Sequence, residues 1–435
     1  MSQADKRFNF VCCLIDAVGW PLGVALISNT TILPLLLKHL GASNTAIGCL
    51  PALYNLLVFL PGFLVVRSVS RLTRAREYLF TVALIERFAL LLLVPLILLW
   101  GHSHPGWLIA ALFLGIAIHA GAMGVNQPAY WVVVGKTVPA AWRGRLFGYA
   151  GGVAGILGLG MDGLLRRFLS GPNGGFPGGY ADCFFLAFVV MTISVLPFAV
   201  IREPPGQPPR ADDPHTGHYG QDSLRIWRLN AGFRRFLYGQ IALTLSALAV
   251  PFYVLYAERQ LRAGTDSVAG YTAAIVLVTA FGGLGWGAWS DRAGNKIVLL
   301  LSCACACLAS LFALFAPSSL LFFGVFVLLA LGIAGTGLAG FNIVMEYADT
   351  ERDIPLYTAM YNTVTALPRA AAPLIGGLIA DHFGGYQALF ILSATLAFVA
   401  LLLTLRASEP RQKSSAPDIT KESAVVRANP TTSEI

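Results

Sequence analysis

The chain has 435 residues, of which 56% are hydrophobic and only 12% charged, about half the charge of an ordinary soluble domain. Its 30 Lys and Arg and 22 Asp and Glu are too few to wet the two or three domains a soluble chain of this length would form. A soluble enzyme, a disordered chain and a nucleic-acid module are excluded, and a polytopic membrane protein remains. The net charge of +8 then marks cytoplasmic loops rather than a nucleic-acid partner.

Twelve segments carry the roughly 20 apolar residues a crossing helix needs. In chain order they are 9–36, 46–66, 78–100, 107–134, 146–165, 182–201, 236–257, 267–289, 297–316, 319–345, 355–380 and 386–406. The first follows Lys6 and Arg7 as a signal peptide would. It is too long for a signal h-region and lacks a small-x-small cleavage site, so it is expected to remain as the first span. With the N-terminus inside, 23 of 30 Lys and Arg fall on the cytoplasmic side, and Lys38, Arg166, Arg167, Arg259 and Arg262 fall outside. That bias puts both termini in the cytoplasm.

The expected fold is thus all-α: 12 transmembrane helices in two six-helix bundles. The domains are 1–201, a cytoplasmic linker 202–235 rich in proline (Pro204, Pro205, Pro208, Pro209), 236–406, and a polar cytoplasmic tail 407–435, in which disorder is expected. The seven cysteines lie almost all in apolar segments. Cys303, Cys305 and Cys307 are two apart, so they fan around a helix and cannot converge on one metal; packing is the expected role.

Six plus six segments suggest duplication. Gly124-Val-Asn126 in span four falls on Gly340-Phe-Asn342 in span ten, an offset of 216. The loop after span eight reads Gly287-Ala-Trp-Ser-Asp291-Arg292-Ala-Gly294-Asn-Lys296. It resembles the G-x-x-x-D-R-x-G-x-K/R loop of the major facilitator superfamily, in which this loop acts as a latch between conformations. Gly287 would let two helices approach closely and Gly294 would permit a tight turn. Asp291 would cap or pair, and Arg292 and Lys296 would hold the loop in the cytoplasm. The copy after span two has degenerated: Arg71 replaces the acidic residue, and arginines replace the glycines. Arg143-Gly-Arg145-Leu-Phe-Gly148 also looks like the family's R-G-R-x-x-G turn. Span five carries Gly148, Gly151, Gly152 and Gly155 at small-x-x-x-small spacing. It lacks the proline of the family's exporter signature; its counterpart, span eleven, reads Pro373-Leu-Ile-Gly376-Gly377. The resemblance, over about 1–406, implies two bundles around a central cavity with a substrate site near midplane, exposed to each side in turn.

Charges inside spans are costly and therefore functional candidates. Asp16, in span one, is the leading proton-coupling candidate; the alternative is a structural pair with an arginine. His119, near the middle of span four, is a candidate relay. Glu86 is a further proton-coupling candidate, although Glu86 and Arg87 point about 100° apart. They are not expected to pair, and packing or snorkelling on a peripheral third helix is the expectation. Tyr361, Thr365 and Arg369 are four apart on one face, a stripe suited to an anionic or polyhydroxylated solute; the alternative is a salt bridge from Arg369 to Asp16 or Glu86. Asn126, Gln127 and Tyr130 in span four, Gln240 in span seven and Asn342 in span ten complete the expected substrate contacts.

The expected function is a secondary transporter moving a small organic solute across a membrane, the bacterial inner membrane, by alternating access with protons as coupling ion. A lipid or lipid-precursor flippase or drug exporter on the same fold is the alternative. A membrane enzyme is disfavoured because no H-E-x-x-H, G-x-S-x-G or phosphate-binding loop occurs. No cofactor, metal or nucleic-acid partner is expected; the partners are the solute, protons and the lipid bilayer, and the protein is expected to act as a monomer.

Overall fold

A computed structural model describes residues 1–70, 72–170, 175–204, 219–348, 354–383 and 385–408. The expected tail beyond 408 and the proline-rich part of the linker at 205–218 lie outside the described residues, as do Arg71 and, among helical side chains, that of Asp291.

The described chain is helical: α1 (Gln3–Leu26), α2 (Ile32–His39), α3 (Asn44–Ser70), α4 (Arg76–Trp100), α5 (Pro105–Thr137), α6 (Ala140–Ser170), α7 (Gly178–Val195), α8 (Tyr219–Leu229), α9 (Ala231–Ser246), α10 (Val250–Gln260), α11 (Thr265–Ala293), α12 (Asn295–Phe315), α13 (Phe323–Tyr347), α14 (Ile354–His382) and α15 (Gly385–Arg406). Among the described residues, ten helices are long and apolar enough to cross a membrane, or eleven if the two bent parts of α6 form one span. In α3 the described apolar stretch is Asn44–Phe59.

The first and seventh expected spans are each broken. Span one divides into α1 and α2 because the Ser28 hydroxyl accepts the backbone N–H groups of Thr30 and Thr31 at 3.2 and 3.3 Å. Such local side-chain bonds compete with the helix ladder. Span seven passes through a 3-10 turn at Ala247–Ala249 before Pro251 restarts a helix as α10, proline being tolerated in a first turn. α1 itself starts on a capping box: Ser2 Oγ accepts from Asp5 N at 3.1 Å, and Asp5 Oδ2 accepts from Ser2 N at 3.0 Å.

The polarity of the molecule is that of a lipid-embedded protein. Leu92, Leu99, Leu114 and Phe315 point outward with at least 65% of their surface exposed, whereas Asp16, Glu86, Arg87 and His119 are buried.

Helix pairing repeats across the halves. In the first, α1 packs on α6 and α7, α4 on α5 and α7, and α3 on α5; in the second, α9 packs on α14 and α15, α12 on α13 and α15, and α11 on α13. The two patterns superpose if α1, α3, α4, α5, α6 and α7 correspond to α9, α11, α12, α13, α14 and α15. The halves meet through α3 against α14 and α6 against α11, which exchange under the same correspondence. The Gly124–Asn126 and Gly340–Asn342 repeat thus falls on equivalent helices.

Small residues set these cross-half contacts, Gly155 alone of the four expected in span five. A Cβ on Gly155 or Gly158 would meet Ala280 at 3.1 Å or Val276 at 2.8 Å on α11, whereas Gly148, Gly151 and Gly152 face open space. Gly48 and Gly377 bring α3 and α14 together, each against the other's backbone.

Candidate transport site

Arg87 of α4 organises the interior of the first half. Its Nε donates to the Met191 carbonyl at 2.8 Å and its Nη1 to the Ala83 carbonyl at 2.9 Å. Nη1 also donates to Glu86 Oε2 at 3.2 Å, and Nη2 stands 3.8 Å from Asp16 Oδ1. This corrects the expectation that Glu86 and Arg87 would not pair and would pack or snorkel at the periphery. Their Cβ atoms do diverge, but both side chains are long enough for their ends to converge. Both are 2% exposed, where an unpaired charge is costly.

The same cluster draws in α1, α3, α5 and α7. Trp20, one turn after Asp16, donates its indole N–H to Glu86 Oε1 at 3.3 Å. Ser194 of α7 donates to Asp16 Oδ1 at 3.2 Å. His119 of α5 is fully buried, with Nδ1 3.1 Å from the Glu86 carbonyl and its ring stacked on Tyr54 at 6.2 Å. Among the described residues its Nε2 has no hydrogen-bond partner. Arg87 was expected to pack or snorkel rather than to organise a site, and Trp20, Ser194 and Tyr54 carry no signal in the sequence beyond the two adjacent charges in one apolar span.

The cluster opens on a cavity of about 300 Å³, within the size range of small-molecule sites. Asp16, Glu86 and Arg87 reach its wall together with Asn126, Gln127 and Tyr130 of α5. Trp20, Trp131 and Phe147 add aromatic faces. Every lining residue comes from the first half.

The second-half candidates lie elsewhere. Arg369 stacks its guanidinium over Phe59 at 4.4 Å, and its carbonyl accepts from Asn55 at 3.1 Å. It does not take the alternative expected for it, a bridge to Asp16 or Glu86. Thr365 spends its hydroxyl on the Tyr361 carbonyl at 2.8 Å, and the Tyr361 hydroxyl reaches Gln240 Oε1 at 3.4 Å. Gln240 Nε2 is buried without a partner among the described residues. Asn342, expected to touch substrate, donates to Asn295 Oδ1 at 3.3 Å instead.

The expected latch is part of that polar knot. Asn295 also donates to Glu346 Oε1 at 2.7 Å and accepts from Ser290. Gly294 turns the chain from α11 to α12 at φ +91°, a conformation that favours glycine. Lys296 donates to the carbonyls of Leu405 and Ala407 at 3.1 and 2.7 Å, capping α15. Arg292 is exposed. Gly287 makes no close approach, since a Cβ there would meet Leu338 at an ordinary 3.7 Å.

The two ends of the molecule differ. At the end bearing the α2–α3 turn, the halves are tied together. Lys38 pairs with Glu258 at 2.8 Å, Thr31 bonds Thr272 at 2.7 Å, and Ser170 donates to Asp266 at 3.0 Å. Asp381 holds Asn44 and Thr45, and Tyr386 donates to Asn44 at 3.1 Å. At the end bearing the chain termini, bonds run within each half: Lys136 to Glu203 and Asn9 to Arg202 in the first, Tyr347 to Ser408 and Lys296 to Ala407 in the second. The cavity lies toward this second end, since Leu79 and Val195 of its wall sit in the terminal turns of α4 and α7 nearest it and Phe147 about two turns into α6.

An apolar-surfaced helical protein with duplicated halves, tied at one end and carrying an interior cavity walled by buried charge, has the architecture of a secondary membrane transporter. Residues 236–430 match the family described as Major Facilitator Superfamily. The chain is also similar in structure to the nucleoside transporter NupG, with a TM-score of 0.69 at 12% identity over 92% of this chain and 99% of that one. It is similar to a bacterial homologue of the human lysosomal transporter Spinster in its inward-facing, unoccupied conformation (TM-score 0.65, 15% identity, 94% and 97% of the two chains). The xylose transporter XylE from E. coli gives a TM-score of 0.62 at 12% identity, over 92% and 96%. No curated protein matches the chain in sequence. The second half of the chain thus matches the Major Facilitator Superfamily in sequence, and the fold over more than nine-tenths of its length is one shared with solved membrane transporters.

Proposed function

We propose that the chain carries a small organic solute across the membrane by alternating access and couples this to protons. In this reading the bundles 1–201 and 236–406, joined by 202–235, supply twelve crossings of a bacterial inner membrane, with both termini and the tail 407–435 in the cytoplasm. The observation that carries it is the buried Asp16–Arg87–Glu86 cluster on a cavity wall. Ionisable groups this deep in a membrane protein face substrate or proton paths by default. Asp16 is the proton acceptor, with Glu86 and His119 behind it. Asn126, Gln127 and Tyr130 contact the solute in this state. Gln240, Asn342, Tyr361 and Thr365 are engaged within the second half and Arg369 against Phe59 of the first, and all five would meet solute when the halves have rocked. The loop from Gly287 to Lys296, Asp291 and Arg292 included, is the latch on the cytoplasmic side. A D-xylose–proton symporter is among the proteins of similar structure, so the fold accommodates this coupling.

The test is flux in proteoliposomes across a panel of solutes. A pH gradient should drive net transport by the native chain. Asp16→Asn should abolish gradient-driven transport yet retain exchange at saturating solute. Transport insensitive to pH in both proteins would refute the role of Asp16.

A further inference from the structure

This inference rests on the transport role just proposed and names the cargo. Two carboxylates, Asp16 and Glu86, are buried with one guanidinium, Arg87. Among the described residues lining the cavity, Arg87 is the one Lys or Arg. Buried charge is tolerated only when balanced, so the site needs one more positive charge.

The deficit sits at Asp16. Arg87 is committed by hydrogen bonds to Glu86, Met191 and Ala83, and approaches Asp16 only to 3.8 Å. The other groups facing Asp16 carry no fixed positive charge. They are Cys13 on its own helix, Tyr130 and, behind Glu86, His119 on α5, and Ser194 on α7; α6 brings Phe147 to the cavity. Arg369, which suggested an anionic solute, lies over Phe59 and outside this wall. Around Asp16 the cavity presents Trp20, Tyr130, Trp131 and Phe147. Aromatic faces of this kind attract cations.

We infer that the cavity takes an organic monocation with a flat apolar body, and that this cation and a proton are alternative occupants of the Asp16 carboxylate, exchanging one for one. With either one present the cluster is neutral: the proton leaves Asp16 for water as the cation arrives, and returns when the cation departs. Glu86 is required as much as Asp16. Without Glu86, Asp16 and Arg87 already balance and nothing calls for a second cation.

The probe is N-methyl-4-phenylpyridinium, which bears a permanent charge and no acidic proton. Its controls are uncharged 4-phenylpyridine above neutral pH and the anion 4-phenylbenzoate. Binding to the purified full chain is measured by calorimetry in buffers of different ionisation enthalpy. The cation should bind at least ~10-fold more tightly than either control, release about one proton, and tighten by up to ~10-fold per pH unit while that proton is being displaced. Asp16→Asn and Glu86→Gln, each checked for an intact melting transition, should both weaken the cation at least ~10-fold and abolish the proton release. The inference is overturned if the anion binds as well as the cation, if the cation binds without releasing a proton, if either folded variant binds it normally, or if it does not bind at any pH. Proton-driven flux of a neutral or anionic solute without phenylpyridinium binding would remove the cargo class and leave the transport role standing. Proton-releasing cation binding with flux insensitive to pH would do the reverse.

Discussion

The carboxylate of Asp381, in the last turn of α14, caps the first turn of α3 at Thr45. Oδ2 accepts the Thr45 backbone N–H at 2.7 Å and its hydroxyl at 2.6 Å, while Oδ1 accepts from the Asn44 side chain at 2.8 Å and its backbone N–H at 3.2 Å. A residue of one half thus satisfies the helix N-terminus of the other, where unpaired N–H groups and the dipole favour an anion. The bond exists only while the halves are closed at this end.

Asp381→Ala should therefore shift the molecule toward the state open at the α2–α3 end. The site is exposed, so the shift should be about 1 kcal/mol, or roughly fivefold in population. Spin-label distances between Ser103 and Ser318, one in each half at this end, should lengthen or broaden. An unchanged distribution would show that the cap does not hold the closure.

Lys38 and Glu258 should matter less. Both side chains are about one-third exposed, and ion pairs of that kind are worth less than about 1 kcal/mol. Lys38→Ala should move the same distances only slightly, and high salt should mimic it. Exchanging the charges, Lys38→Glu with Glu258→Lys, should restore the native distribution where either reversal alone disturbs it.

Gly377 lets α14 lie against α3: a Cβ there would stand 2.8 Å from the Thr45 Cα. Because the obstacle is backbone, no rotamer can yield. Gly377→Val should cost the closed state about 1–3 kcal/mol and slow transport while expression and helicity persist. Wild-type flux from this variant would contradict the contact.

Removing Arg87 should be the most damaging single change. Arg87→Met leaves Asp16 and Glu86 buried without a cation, a loss of about 3 kcal/mol by analogy with broken buried pairs. The loss should shrink when Glu86→Gln is added. Thermal unfolding in detergent measures both effects.

Much of the architecture was legible before any coordinates. Low charge, apolar runs and the loop after span eight pointed to this superfamily, and Asp16, Glu86, Asn126, Gln127 and Tyr130 were singled out and do share one cavity wall. Periodicity could not reveal that Arg87 turns back to Glu86, since adjacent helical residues diverge at Cβ and converge only through long side chains. Nor could it place Asn342, whose equivalent Asn126 lines the cavity while Asn342 itself bonds Asn295. Duplicated helices diverge in partner even where they agree in sequence.

Membrane residence and the two-half plan are properties of composition and order along the chain, because burying backbone in lipid demands long apolar helices whatever their neighbours do. Which charges meet was decided only by packing. Asp16, Arg87 and Ser194 come from α1, α4 and α7, and Asp381 and Thr45 are 336 residues apart. Such meetings depend on side-chain reach and on how closely glycine lets two helices approach, and neither is a property of any local stretch of sequence.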